Sequence, residues 1–293
     1  SRGLGDVYKR QVRNYGFEAM LSYGHRWGDF GWDSSFTFSA NKNEIVELVK
    51  DYVHPETGKT YNVDKLELKT DEGRGFGKAK FILKEGGTLG DLYTHADLKR
   101  DINGNILIDD SGNVTAIDNA GDIKLGSVLP KANLAWNNSF SYKGINAGFL
   151  LTARLGGIVY SATQAYLDLY GVSETSAAAR DAGGVWINGR SHVNPQSFYE
   201  VVASQSGLPT YYTYSATNLR LQEAHIGYTV PRRWLGNVCD INVSLVGRNL
   251  WMIYCKAPFD PEAVATTNNY YQGIDYFMMP STRNIGFNIK INF

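Results

Sequence analysis

Few residue patterns in this sequence are spaced for chemistry, and most have a plainer reading beside the chemical one. The string GRGFGK at 73–78 has the glycines of a phosphate loop, but Ala79 follows Lys78 where a Ser or Thr is needed, and no helical pattern follows. The run DINGNILIDDSGNVTAID at 101–118 offers hard oxygens for calcium in Asp101, Asn103, Asn105, Asp109 and Asp110. It lacks the glycine that an EF-hand loop places sixth, and two successive turn motifs, NGN and DSGN, explain the same letters as an exposed hairpin. His25, His54, His95, His192 and His225 show no paired ligand spacing, so no metal or other cofactor is expected. No GxSxG elbow occurs, and no catalytic residue is assigned. What remains is binding chemistry. Trp186, Tyr211, Tyr212, Asn268, Asn269, Tyr270 and Tyr271 lie in long connecting segments. Flat rings stack on sugar faces and amides bond hydroxyls, so these seven are the candidate substrate contacts.

The elements that would carry such loops are strands. The chain has 293 residues, with 31 Gly, 19 Tyr, 13 Phe and 6 Trp but only 8 Pro, a composition that favours strands and turns over helices. Lys and Arg number 29 and Asp and Glu 29, so the formal charge is zero and no global positive field exists to hold a nucleic acid. The mean hydropathy of −0.30 agrees with the lack of any apolar run long enough for a membrane-spanning helix. That leaves β-barrels open, because their short alternating segments average to low hydropathy.

Alternation is plainest at 285–293, where Ile285, Phe287, Ile289, Ile291 and Phe293 take turns with Gly286, Asn288, Lys290 and Asn292. The same period of two runs through nine segments: 14–24, 30–42, 76–84, 88–98, 133–143, 145–160, 214–230, 240–254 and 282–293. Lys143-Gly144 makes a tight hairpin turn, and HRWGD at 25–29 joins another pair. A phase slip between Leu221 and Ala224 predicts a β-bulge near Gln222 and Glu223. Short links at 25–29, 85–87, 144 and 231–239 alternate with long ones at 43–75, 99–132, 161–213 and 255–281. Long loops on one side and short turns on the other describe an outer-membrane barrel, with the long loops extracellular.

A secreted, carbohydrate-binding β-sandwich would alternate too, since one face of each sheet packs on a core. Several segments here reach 11 residues, whereas ordinary strands run about 5–6 and lipid-crossing strands about 9–11. Aromatics sit near strand ends, as Tyr15, Tyr23, Phe30, Tyr142 and Tyr254 do, where a headgroup interface suits them. Lys290 would cost about 2–4 kcal/mol facing lipid at mid-depth, so the Ile and Phe set of the last strand must point outward. Cys239 and Cys255 flank one predicted strand and lie about 50 Å apart at a rise of about 3.3 Å per residue, too far for a disulfide.

From residue 218 onward the sequence resembles the C-terminus of SusC/RagA-type TonB-dependent outer-membrane transporters. The matching strings are NLRLQEAHIGYTVP at 218–231, GRNLWMIY at 247–254, FDPEA at 259–263 and GIDYFMMPSTRNIGFNIKINF at 273–293. Weaker likeness at 17–48 and 133–155 extends the resemblance over most of 12–293. It implies an all-β fold, the C-terminal portion of an antiparallel transmembrane β-barrel, with about nine or ten of 22 strands and the plug absent. It further implies import of an oligosaccharide or peptide substrate across the outer membrane, energised by TonB through a missing N-terminal part. A SusD-like surface lipoprotein would cap the mouth. Ile285, Phe287, Ile289, Ile291 and Phe293 resemble the terminal signal read by the barrel-assembly machinery. Residues 1–11, SRGLGDVYKRQ, begin without Met and resemble translated adapter sequence at the end of an assembled fragment, so the native start is expected to be missing.

Overall fold

The structure is a computed structural model that describes residues 11–54, 56–68, 78–189, 191–204, 207–236, 238–264 and 272–292. GRGFGK falls outside these residues except for Lys78. Seven long strands form one antiparallel sheet: β1 (Gln11–Trp27), β2 (Phe30–Glu47), β3 (Ala132–Tyr142), β4 (Ile145–Leu155), β5 (Asn218–Val230), β6 (Asp240–Cys255) and β7 (Asn284–Asn292). Neighbours in space are neighbours in sequence among these seven, the order of an up-and-down barrel wall.

Turn chemistry sets the register at the short-turn end. Gly28-Asp29 closes the β1–β2 hairpin, with Trp27 opposite Phe30. Lys143 and Gly144 both take positive φ, 47° and 89°, as a two-residue turn matched to strand twist requires, and Tyr142 then faces Ile145. From there the pairing carries one face intact across the sheet. Leu21 lies opposite Phe36, Phe36 opposite Trp136, Trp136 opposite Leu151, Leu151 opposite Leu221, and Leu221 opposite Trp251. The rank below runs through Phe149, Ala224, Gly247 and Ile285. The expected bulge is present: the register shifts between Leu221 and Glu223, and Gln222 spans the fault with a 2.9 Å bond from its Nε2 to Asn249 Oδ1. Without that extra residue, Ala224, Ile226 and Tyr228 would turn to the opposite face.

This face is apolar and uncovered. Leu21 is 74% exposed, Phe287 78% and Trp251 61%. The opposite face carries Thr37, Asn133, Thr152, His225, Asn242 and Lys290 in the alternate phase. No second sheet packs on the apolar face among the described residues, so the sandwich reading has no core to bury those side chains.

The segments 76–84 and 88–98 are not wall strands. They correspond to Ala79–Lys84 and Asp91–Thr94, which join Lys65–Glu67 and Ile123–Ser127 in a separate four-stranded sheet. The described wall therefore has seven strands rather than nine. Both faces of this small sheet are covered: Ala79, Phe81, Ile82, Leu92 and Tyr93 are buried. Strand length separates it from the wall, six and four residues against 9–18. The long connections also hold three helices that strand periodicity does not reveal: α1 (Ala162–Leu169), α2 (Glu174–Asp181) and α3 (Pro195–Val202). Each starts at a side-chain cap, Ser161, Ser173 and Asn194 respectively. Helices and short strands share one hydrophobic core, in which Phe81, Leu98, Val128, Tyr160, Phe198 and Ile274 come from three different connections. The loops thus fold into one body at the long-loop end of the wall.

The DINGN run forms the two turns expected of it. Asp101 Oδ1 accepts from the amides of Asn103 and Asn105, and Asp109 Oδ1 from those of Ser111 and Asn113, each at 2.8–2.9 Å. Isolated bridges pair Arg100 with Ile106 and Ile108 with Val114. The Asn105 side chain first, then the amides of Asn105 and Asn103, hold the Asp101 pKa below its ordinary value.

Candidate functional site

Where the inner face of the wall meets the loop body, the polar phase of four strands lines a cavity of about 380 Å³. Thr37 and Ser39 come from β2, Asn133 from β3, Thr152 and Arg154 from β4, and Gln222 from the β5 bulge. Alternation puts them there, since each lies one residue out of phase with the apolar ranks. Arg154 is tethered by a 2.8 Å bond from Nη2 to the Val128 carbonyl, and its Nε has no partner among the described residues.

Glu262 closes the cavity from the segment after β6 and is the exposed member of a charge network whose Arg220 and Asp260 are buried. Arg220 Nη2 donates to Asp260 Oδ1 at 2.8 Å and lies 3.1 Å from Glu262 Oε2, while Nη1 reaches Asp260 Oδ2 at 3.2 Å. Asn218 Nδ2 bonds Glu262 Oε1 at 3.2 Å. Burial works against the Asp260 carboxylate, but hydrogen bonds from Arg220, Ser281 and the Glu262 amide outweigh it and hold its pKa below the ordinary range. Two strings noted separately in the sequence, NLRLQ and FDPEA, are thus halves of one device. The bidentate pair of strand Arg and loop Asp fixes the loop that carries Glu262.

A second charge cluster braces the loop body. Asp122 accepts from Lys65 at 2.6 and 2.8 Å and from Lys84 at 2.6 Å, with His95 Nε2 at 2.9 Å. Lys65 first, then Lys84, hold its pKa well below the usual carboxylate value. The cluster ties both flanks of the small sheet together. Among the described residues no three His, Cys, Asp or Glu side chains are grouped to hold a metal.

The candidate contacts named from sequence are not brought together. Trp186 is on an exposed hairpin of the loop body, 61% exposed and edge-on to His192 at 3.7 Å between ring centres. Tyr211 is half-buried against Phe198 at 6.1 Å. Tyr212 is a core residue, 2% exposed, with its hydroxyl donated to Asp168 at 3.0 Å, and offers no ring face to a ligand. Burial and the Asp168 charge push its pKa up. Asn268, Asn269, Tyr270 and Tyr271 lie outside the described residues, as does Phe293. Ile285, Phe287, Ile289 and Ile291 stand on the exposed face of β7. Cys239 and Cys255 are free thiols at the two ends of β6. Thr152, Arg154 and Gln222 were not singled out as contacts, although the polar phase of β4 and the bulge mark all three.

A wall of long strands, apolar outside, polar inside and topped by folded loops, defines a section of an outer-membrane-type β-barrel. No protein-family model matches the chain. Among curated proteins it is similar to TonB-dependent receptor P3 of Formosa agariphila, 24% identical over 308 residues, covering 96% of this chain and 29% of that receptor. TonB-dependent receptor P26 of the same organism is 25% identical over 308 residues, with the same coverage. The chain therefore spans under a third of the length of these relatives. Among solved structures it resembles the RagAB peptide importer in its closed-closed state, with a TM-score of 0.62 and 17% identity, over 96% of this chain and 30% of that one. A second structure of the RagAB peptide transporter gives a TM-score of 0.60 at 16% identity, over 96% and 29%. The chain is similar in sequence to TonB-dependent receptors and has the fold of a section of a RagAB transporter chain.

Proposed function

We propose that this chain forms the wall and outer loops of a TonB-dependent importer in the outer membrane, taking up oligosaccharides or peptides. In this reading binding and directed passage replace catalysis. The cavity of Thr152, Arg154 and Gln222 contacts substrate beneath the loops, and Trp186 offers a stacking surface above. A SusD-like lipoprotein covers the loop body, and TonB supplies the energy through the remainder of the receptor. The barrel-assembly machinery recognises Ile285, Phe287, Ile289, Ile291 and Phe293. The observation that supports the reading best is the pairing of a largely apolar, exposed outer face, on which Ser34 and Asn138 are bonded to the indoles of Trp136 and Trp32, with a polar inner face carrying Arg154.

The test is uptake by intact cells expressing the full-length receptor, offered fluorescent oligosaccharides and oligopeptides with and without a protonophore. Saturable, protonophore-sensitive uptake is expected. Arg154→Ala should raise the half-saturating concentration about tenfold or more, the loss of a charged hydrogen bond of about 1.5–3 kcal/mol. Uptake indifferent to energy and to Arg154 would sink the proposal.

A further inference from the structure

The wall has a notch at its outer rim. Pairing between β2 and β3 ends at Ser39 opposite Asn133, yet β2 runs on to Glu47, with β1 on one side and, on the other, the 86–89 turn bonded to Asn43 and Ile45. Gly156 and Gly157, at φ 76° and 84°, turn the chain away just past β4, and among the described residues no strand pairs with the second edge of β2 from Ala40 to Lys42. The resulting cleft has a volume of about 920 Å³, within the range of small-molecule sites. Tyr15, Phe17, Leu129 and Ile158 give it apolar walls, and Lys42 and Lys131 give it two cations.

Three observations say what occupies it. Tyr15 and Phe17 belong to the same phase of β1 as Leu21 and Tyr23, so the cleft continues the lipid-facing surface. It lies at the long-loop end of the wall, where an outer-leaflet headgroup would sit beside Tyr15. Lys42 Nζ stands 5.4 Å over the Tyr15 ring, and the Lys131 stem runs across Gly156, where an added Cβ would come within 2.9 Å of Lys131 Cγ. Neither lysine has a carboxylate in salt-bridge range among the described residues. Lys42 has the Tyr15 hydroxyl as a hydrogen-bond partner and Glu44 acting on it from farther off, and an apolar slot opening to hydrocarbon with two cations free of salt bridges at its mouth is complementary to an amphiphile with an anionic head.

We infer that this notch holds one outer-leaflet lipid, an acyl chain between Phe17 and Leu129 and a phosphate-bearing head on Lys42 and Lys131. The site is separate from the substrate cavity and depends on the barrel fold, not on the import reading. It fixes a lipid where the β2–β3 seam is open and so closes the wall.

Native mass spectrometry of the full-length receptor in detergent tests it, with dipalmitoylphosphatidylglycerol as probe and heat-modifiable gel migration confirming the fold of each variant. One retained lipid per chain is expected. The double variant Lys42→Gln with Lys131→Gln should lower retention at least fivefold, and Leu129→Trp, which fills the slot and leaves the charges, should lower it similarly. Arg232→Gln, at the short-turn end, should leave it unchanged. Dipalmitoylglycerol, with the same chains and no phosphate, should be retained at least fivefold less. Equal retention by the double variant, equal retention of the uncharged lipid, or displacement by millimolar inorganic phosphate would each overturn the assignment.

Discussion

Phe81 and Phe287 are the same residue type on strands of the same chain, yet one is 1% exposed and the other 78%. Phe81 sits in the loop body, where helices and short strands enclose a protein core. Phe287 sits on the wall, where outward rings and aliphatic side chains such as Leu21, Phe36, Trp136, Trp251 and Ile285 stay exposed. Apolar area is removed from water in both regions, by neighbouring side chains in the first and by hydrocarbon in the second. The two regions should therefore respond differently to the same kind of change.

The largest contrast is expected from truncating the buried ring. Phe81→Ala should destabilise the loop body by about 3–5 kcal/mol while leaving the wall folded. Hydrogen exchange would show lost protection over residues 79–128 with β4 to β6 unchanged. A charge on the wall should do the converse. Ile289→Lys at mid-depth should cost about 2–4 kcal/mol of folding into lipid vesicles, followed by denaturant titration, whereas the native Lys290 next to it is tolerated on the inner face.

The junction between the regions should give a smaller effect with a pH signature. Asp260→Asn should loosen the 256–264 segment by about 1–3 kcal/mol, since Glu262 still faces Arg220. The Asp260 pKa is depressed by folding, so its contribution is complete above the unfolded value near 3.9 and is lost as pH falls through the lower folded value. Cleavage within 256–264 by an acid-active protease should accelerate below about pH 4 more steeply in the native protein than in Asp260→Asn, where only the Glu262–Arg220 pair remains to be lost. The smallest effect is expected at the turn: Gly144→Ala forces a Cβ to within 2.9 Å of the Thr229 carbonyl at φ 89° and should cost about 1 kcal/mol.

The same contrast decides what could be read in advance. Wall strands were legible because hydrocarbon outside and water inside enforce a strict period of two, and the Gln222 slip could be placed within a residue. The small sheet misled because its strands are covered on both sides, so Phe81, Ile82 and Leu92 carry no phase that distinguishes them from a wall strand. The helices are only eight residues each, too short for a 3.6-residue period to stand out, but Ser161 before Gln164 and Asn194 before Pro195 are capping signals that could have located two of them. At the site, exposed loop rings were the natural choice for ligand contacts, and Tyr212 shows why that choice is fragile. A loop segment that builds its own core buries aromatics as any core does. Arg154 and Glu262 come together only through pairing of β4 with β5 and the anchoring of 260–262, contacts far apart in sequence.

The most direct measurement is the accessibility of nitroxide labels placed singly along β7 in lipid bilayers. Labels at 285, 287, 289 and 291 should relax with dissolved oxygen and be shielded from an aqueous nickel chelate, and labels at 286, 288 and 290 should show the reverse. Uniform aqueous access at all seven positions, or an inverted pattern, would contradict a lipid-facing wall.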